Sequence, residues 1–291
     1  MRLNTVEADG AILAVREWGD PDAPPILFWH SLGPFMSGQS LCEAAPGLSE
    51  AYGFRVIAPD APGFGRSPAL PPDRYAANEL ARIELALLDR LGIERAVLMG
   101  HSWGGAVSCV AAASAPERVR ALVLLDSGHV DYADWPGADL SATLDELIAD
   151  GEEARLRVAD WDELEAMLRE ALRRWSPALR EAVREGVREK DGRLVGIVGG
   201  EARGPAMYEL LRARVSATWP VLEEHGVPAL LLLATEPEEL KRNNETAVGR
   251  FSAKYPSATV VPVADCGHGV TVDLGADLAT IVGDWLREQL G

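Results

Sequence analysis

The sequence predicts an α/β chain, a mostly parallel sheet with helices on both faces. Three observations carry this expectation. Short apolar runs alternate with stretches whose apolar residues recur at helical spacing, as parallel strands joined by crossover helices require. The run Pro25-Ile26-Leu27-Phe28-Trp29 shows no polar alternation, as expected of a strand covered on both faces. Ser31, Asp60, Ser102 and Asp126 each stand just beyond such a run, and ligands of these sheets bind beyond the carboxyl ends of the strands.

Taken in order, residues 2–18 read as two short strands around Asp9-Gly10, a hairpin signal. Strands follow at 25–30 and 54–58. A helix over 75–91 has Leu80, Ile83, Leu87, Leu88 and Leu91 on one face and stops at Gly92. Ala96-Val97-Leu98-Met99 forms the next strand, the small-residue stretch Ala106 to Ala115 its helix, and Val119 to Leu125 the strand after that. The alternation then breaks. Residues 129–225 read as a helical insertion that hangs over the strand ends as a cap, dividing the core into 1–128 and 226–291. Within it, helices are expected over 141–156, from the Asp160/Glu163 cap through Trp175, and from Ser176-Pro177 to near Gly192. Gly199-Gly200 reads as a loop before a helix over 205–217. The sheet resumes at 228–233, followed by a helix over 243–255, a strand at 259–263 and a closing helix carrying Leu278, Ile281, Val282, Trp285 and Leu286.

Composition narrows the function classes. Hydrophobic residues make up 47% of the 291 positions, enough for a large core. A net charge of −17 argues against nucleic acid or an anionic membrane surface as partner. Cys42, Cys109 and Cys266 form no pairing or metal-ligand pattern. With no apolar run of signal-peptide or membrane-spanning length, a cytoplasmic protein acting on a small-molecule substrate is expected.

The chemistry centres on Gly100-His101-Ser102-Trp103-Gly104, a G-x-S-x-G turn between an apolar strand and a Gly/Ala-rich helix. A serine on so tight a turn is lifted clear of the sheet, beside the first free N–H groups of the helix. Its hydroxyl is a poor nucleophile at neutral pH and needs a base within hydrogen-bond reach. Of His30, His101, His129, His225 and His268, only His268 follows the last strand in a Gly-His-Gly loop, free to reach back over the sheet. His101 reads as scaffold, and His30 as support for the loop Ser31-Leu32-Gly33.

With the elbow, the loop Asp60-Ala61-Pro62-Gly63-Phe64-Gly65-Arg66-Ser67 and the late Gly267-His268, the chain resembles the α/β-hydrolase superfamily over nearly its whole length. The resemblance implies an eight-stranded, mostly parallel sheet with a cap, an order of Ser, acid, His, and an oxyanion hole formed by the backbone N–H groups of Leu32 and Trp103. The sequence departs from the family's His-Gly after the third strand, where it has His30-Ser31. It also lacks the family's G-x-x-D after the seventh strand, where Pro237 follows Thr235-Glu236. Two acids therefore remain open: Asp126, directly after the sixth strand, which is favoured, and Glu236. Ser31 and Trp135 are candidate substrate contacts, with Trp161, Trp175 and Trp219 further candidates for the cap's inner wall. The resulting expectation is a serine hydrolase of small carboxylic esters or thioesters that needs no metal or cofactor. Amide, C–C bond and lactone cleavage, or ligand binding without turnover, are the alternatives.

Overall fold

A computed structural model describes all 291 residues. The amino-terminal part contributes β1 (Arg2–Ala8), β2 (Ala11–Trp18), β3 (Pro25–Trp29), α1 (Ala44–Glu50), β4 (Arg55–Pro59), α2 (Ala77–Arg90), β5 (Ala96–His101), α3 (Trp103–Ser114) and β6 (Val119–Leu125). Residues between β6 and the next strand of the main sheet form α4 (Leu144–Glu153), β7 (Arg157–Val158), α5 (Trp161–Ala171), α6 (Pro177–Glu185), β8 (Val187–Lys190), β9 (Arg193–Gly196), α7 (Gly200–Arg212) and α8 (Trp219–Glu224). The chain closes with β10 (Ala229–Ala234), α9 (Glu238–Lys254), β11 (Thr259–Val263), α10 (Val270–Leu274) and α11 (Asp277–Leu290).

The main sheet has eight strands in the order β1-β2-β4-β3-β5-β6-β10-β11. Only β1–β2 and β2–β4 pair antiparallel; every pairing from β4 through β11 is parallel. All six residues of β5 and of β10 are buried, which explains their unbroken apolar sequence. Each face carries its own core. One buries Leu27, Leu98 and Leu122 under α2 and α3; the other buries Phe28, Met99 and Val123 under α1 and α11.

The segment between β6 and β10 differs from the all-helical expectation. It holds a three-stranded antiparallel sheet in the order β7-β9-β8. The helix opened by Ser176-Pro177 ends at Glu185, and Asp191-Gly192 turns a hairpin between β8 and β9 rather than ending a helix. Both Asp191 and Gly192 have positive φ, the geometry of a tight two-residue hairpin turn. The helix expected over 205–217 instead spans Gly200–Arg212. Gly200 belongs to it because α7 crosses α4 at close quarters, where an added Cβ would lie 2.0 Å from the Ile148 carbonyl oxygen.

Two polar clasps tie this segment to the main sheet's loops. Arg16 and Asp60, both fully buried, are ion-paired, and Glu185 reaches the other side of the same guanidinium. Glu185 also accepts from Gln39 at 2.8 Å and contacts Arg66 at 3.2 Å. Farther round, Arg174 pairs with Glu43 at 2.7 Å.

Candidate active site

The turn from β5 into α3 forces Ser102 to φ 55° and ψ −120°, a region that non-glycine residues occupy only under constraint. The constraint is close approach: a Cβ on Gly104 would meet the Trp29 carbonyl oxygen at 2.0 Å. The first turn of α3 thus lies almost on the end of β3. The Trp103 side chain, 1% exposed, packs against Trp29, His30 and Phe64 and anchors that helix start.

His268 bridges Ser102 and Asp126. Its Nε2 lies 2.8 Å from Ser102 Oγ and its Nδ1 lies 2.6 Å from Asp126 Oδ2. An ionised carboxylate only accepts, so Nδ1 carries the proton and Nε2 is left to accept from the serine hydroxyl. The His268 side chain is 48% exposed while Asp126 is 2% exposed; the imidazole meets solvent and the carboxylate does not. His101 Nε2 donates to the His268 carbonyl oxygen at 2.7 Å, fixing the loop that carries His268. Burial drives the His101 imidazole down to about 4, so this second ring stays neutral.

Asp126 also sits at positive φ, 45°. Its amide donates to Leu232 in the neighbouring strand. Its Oδ1 accepts from the Ala234 amide at 2.9 Å and from Asn244 Nδ2 at 2.7 Å. Burial raises the Asp126 carboxyl, but the His268 hydrogen bond and charge and the Ala234 N–H outweigh it, and the net shift is downward. Asn244 is itself held: its Oδ1 accepts from His129 Nε2 at 3.1 Å, with both residues buried. This chain, from the exposed His268 through the buried Asp126, Asn244 and His129, was not expected from the sequence. Asn244 lies inside a charged helix, and the sequence offers no signal for it beyond a polar residue on a face that also carries Ala247 and Phe251.

Of the two candidate acids, the structure brings Asp126 to the imidazole. The backbone amide of Glu236 donates to Cys266 at 2.9 Å, and its carboxylate makes no hydrogen bond or ion pair. Leu32 and Ser31 are buried at the end of β3, next to the start of α3. The His30 ring, driven to about 4 by burial, donates from Nδ1 to the Ser31 carbonyl and accepts from the Ala61 amide. It braces the loop, as expected. The amides of Leu32 and Trp103 donate to no acceptor within the protein.

A cavity of about 190 Å³ opens beside the imidazole. Val130, Tyr132, Trp135 and Leu240 give it an apolar side, and Asp126 and His268 a polar one. Ser31 does not line it. Of the tryptophans considered as wall residues, only Trp135 does. Trp161 and Trp175 pack with the small core around Leu164 and Leu168, and Trp219 is buried with its Nε1 donating to Gly128. A wider depression of about 770 Å³, around Arg55, Arg95 and Arg120, lies at the opposite, amino ends of the strands, away from Ser102 and His268. Cys266 is 1% exposed, and burial pushes its thiol up to about 12, an inert core residue. The acids near His129 are already engaged, Asp131 by the Ser216 amide and hydroxyl.

A mostly parallel eight-stranded sheet, a strained serine between strand and helix, and a histidine after the last strand define a hydrolase of one fold class. Residues 24–270 match the family described as alpha/beta hydrolase fold, and the chain belongs to that family. It is 30% identical over 240 residues to a protein of Mycobacterium phage D29 carried under the provisional name non-heme haloperoxidase, covering 78% of this chain and 76% of that one. It is 26% identical over 279 residues to the 2-hydroxymuconate semialdehyde hydrolase of Pseudomonas sp. (strain CF600), covering 91% and 87%. Among solved structures, E-2-(acetamidomethylene)succinate hydrolase superposes with a TM-score of 0.78 at 24% identity over 98% of this chain and 99% of that one, a likeness of fold. No helix is long and apolar enough to cross a membrane.

Proposed function

We propose that this hydrolase cleaves small carboxylic esters or thioesters through a covalent acyl-enzyme on Ser102. The observation that carries this reading is the imidazole of His268, within 2.8 Å of the serine hydroxyl on one side and 2.6 Å of the buried Asp126 carboxylate on the other. His268 removes the Ser102 proton as Oγ attacks the carbonyl carbon, and Asp126 stabilises the imidazolium that forms. Negative charge then gathers on the carbonyl oxygen, where the free amides of Leu32 and Trp103 act as donors. His268 returns its proton to the leaving oxygen or sulfur. A water activated by the same base releases the acid and restores Ser102.

The cavity of about 190 Å³ borders His268 and not Ser102; it is smaller than the roughly 300–1,000 Å³ of sites that enclose drug-sized ligands, and its apolar side, Val130, Tyr132, Trp135 and Leu240, suits a short apolar arm of the substrate. A serine rather than an aspartate at the elbow argues against opening of epoxides or haloalkanes, which in this superfamily runs through a carboxylate nucleophile. We further propose that residues 129–225 act as the cap over this site, held by the Arg16–Glu185 and Arg174–Glu43 clasps.

The test is hydrolysis of short-chain p-nitrophenyl esters and acyl thioesters, with fluorophosphonate labelling. Turnover by the wild type, labelling at Ser102 and loss of both in Ser102→Ala are expected. Ester turnover that survives in Ser102→Ala would end the proposal. Hydrolysis of 2-hydroxymuconate semialdehyde with no ester turnover would move it to the substrate named for the Pseudomonas relative.

A further inference from the structure

Tyr132 is the nearest polar side chain to Ser102 that the reading above does not use. It opens a 3₁₀ turn, Tyr132–Asp134, just after β6. Its hydroxyl lies 3.4 Å from Ser102 Oγ, outside the roughly 2.5–3.0 Å of a well-formed O–H···O bond. The phenol is therefore beside the nucleophile without being committed to it, and Ser102 is the one hydrogen-bonding neighbour of its hydroxyl. Burial pushes the Tyr132 hydroxyl up to about 12, so it keeps its proton at any working pH.

The backbone that carries the phenol is held in place, and the ring packs against the core. Asp131 accepts from the Ser216 amide at 2.8 Å and from its hydroxyl at 2.7 Å, and the Trp135 amide donates back to the Tyr132 carbonyl at 3.1 Å. A donor carried on a fixed turn needs little rearrangement when charge develops near it, the condition under which hydrogen bonds contribute most to catalysis.

Its place decides which substrate atom it meets. The carbonyl oxygen belongs to the Leu32 and Trp103 amides, at the end of β3 and the start of α3. Tyr132 instead lines the cavity beside His268, and the group that departs is the one to which His268 returns its proton. Once Ser102 Oγ is bonded to the carbonyl carbon, the leaving oxygen is only two bonds from Oγ, within reach of a hydroxyl that now stands 3.4 Å away. We propose that Tyr132 is a catalytic residue that donates a hydrogen bond to the leaving-group oxygen as the tetrahedral intermediate collapses. In that step the C–O bond breaks, its electron pair goes to the departing oxygen, and the proton comes from His268 Nε2. Tyr132 keeps its own proton and lowers the charge that oxygen must bear.

This inference rests on the acyl-enzyme reading, and the test separates the two. Tyr132→Phe removes one oxygen and keeps the ring. It is compared with wild type on esters of a single acyl group whose leaving groups run from p-nitrophenol through phenol to simple alkanols. The loss in kcat/KM is expected to stay within about twofold for p-nitrophenol, which departs readily without help, and to grow to on the order of 10–100-fold for alkanols. A loss of equal size across the series, or none at all, overturns the role of Tyr132 and leaves the acyl-enzyme intact. A wild type inactive on the whole series and unlabelled by fluorophosphonate overturns both.

Discussion

Replacing Asp126 by Asn changes a carboxylate to an amide of the same shape, and the surroundings dictate how that amide sits. The Ala234 N–H and Asn244 Nδ2 both donate to Oδ1, at 2.9 and 2.7 Å, so the amide oxygen of the variant stays there. Its NH₂ group is then directed at His268 Nδ1, where Oδ2 lay at 2.6 Å. An NH₂ can only donate, so Nδ1 gives up its proton and the imidazole carries it on Nε2. In that tautomer His268 presents a donor to Ser102 and cannot take its proton. A wrong tautomer in otherwise intact geometry lowers kcat about ten-thousand-fold, roughly 5 kcal/mol of transition-state stabilisation. Steady-state hydrolysis of a short p-nitrophenyl ester by wild type, Asp126→Asn and Glu236→Gln is the assay. Glu236→Gln is expected to stay within about threefold of wild type, since its carboxylate lies outside the chain that ends at His268. A variant Asp126→Asn within tenfold of wild type, or a Glu236→Gln that loses as much, would refute the assignment of the acid.

Three further outcomes follow from packing and charge. Glu84 is fully buried on α2 with only Ser108 as partner, and burial pushes its carboxyl up to about 8. The folded chain thus binds this proton more tightly than the unfolded one, so stability falls as pH rises from the ordinary carboxylate range to about 8. Glu84→Gln should flatten that slope and unfold at a higher temperature than wild type at pH 9, as read by thermal melts across pH. Gly104→Ala, with its Cβ driven toward the Trp29 and His30 carbonyls, should cost about 3 kcal/mol or more in a denaturant titration. Glu185→Ala leaves Arg16 with Asp60 alone and should cost about 1–3 kcal/mol while making residues 129–225 more open to limited proteolysis.

The site was legible in the sequence where the chemistry depends on local backbone. Gly100, Ser102 and Gly104 announce a turn because close approach at that turn admits no larger residue at Gly104, and the apolar strand before it fixes which way the serine points. His268 was legible because it follows the last strand. The acid was narrowed to two, since Asp126 and Glu236 both follow strands at the same edge. What separates them is the parallel pairing of β6 with β10, which sets Asp126 against Leu232 and Ala234, and the reach of Asn244 across from α9. These are contacts between residues more than a hundred positions apart, for which periodicity carries no signal.

Local signals that serve two structures caused the other differences. Asp191-Gly192 reads equally as a helix end or a hairpin turn, and Val187-Arg188-Glu189-Lys190 carries a single apolar residue. Its strand character comes from pairing with β9 rather than from its own pattern. Gly199-Gly200 reads as a loop until α4 is placed against it, when the missing side chain becomes the condition for two helices to touch. Tyr132 lay hidden for a similar reason. Nothing in Val130-Asp131-Tyr132 marks chemistry before β6 delivers the ring to the serine.

The acyl-enzyme itself is the most direct test. The protein is mixed with a p-nitrophenyl ester, quenched in acid within the first turnover, and its mass is measured intact and after digestion. One acyl group on the peptide bearing Ser102, formed with a burst of p-nitrophenol and absent from His268→Ala, is the expected result. Steady turnover with no acylated peptide, or with the acyl group on another residue, would contradict the account.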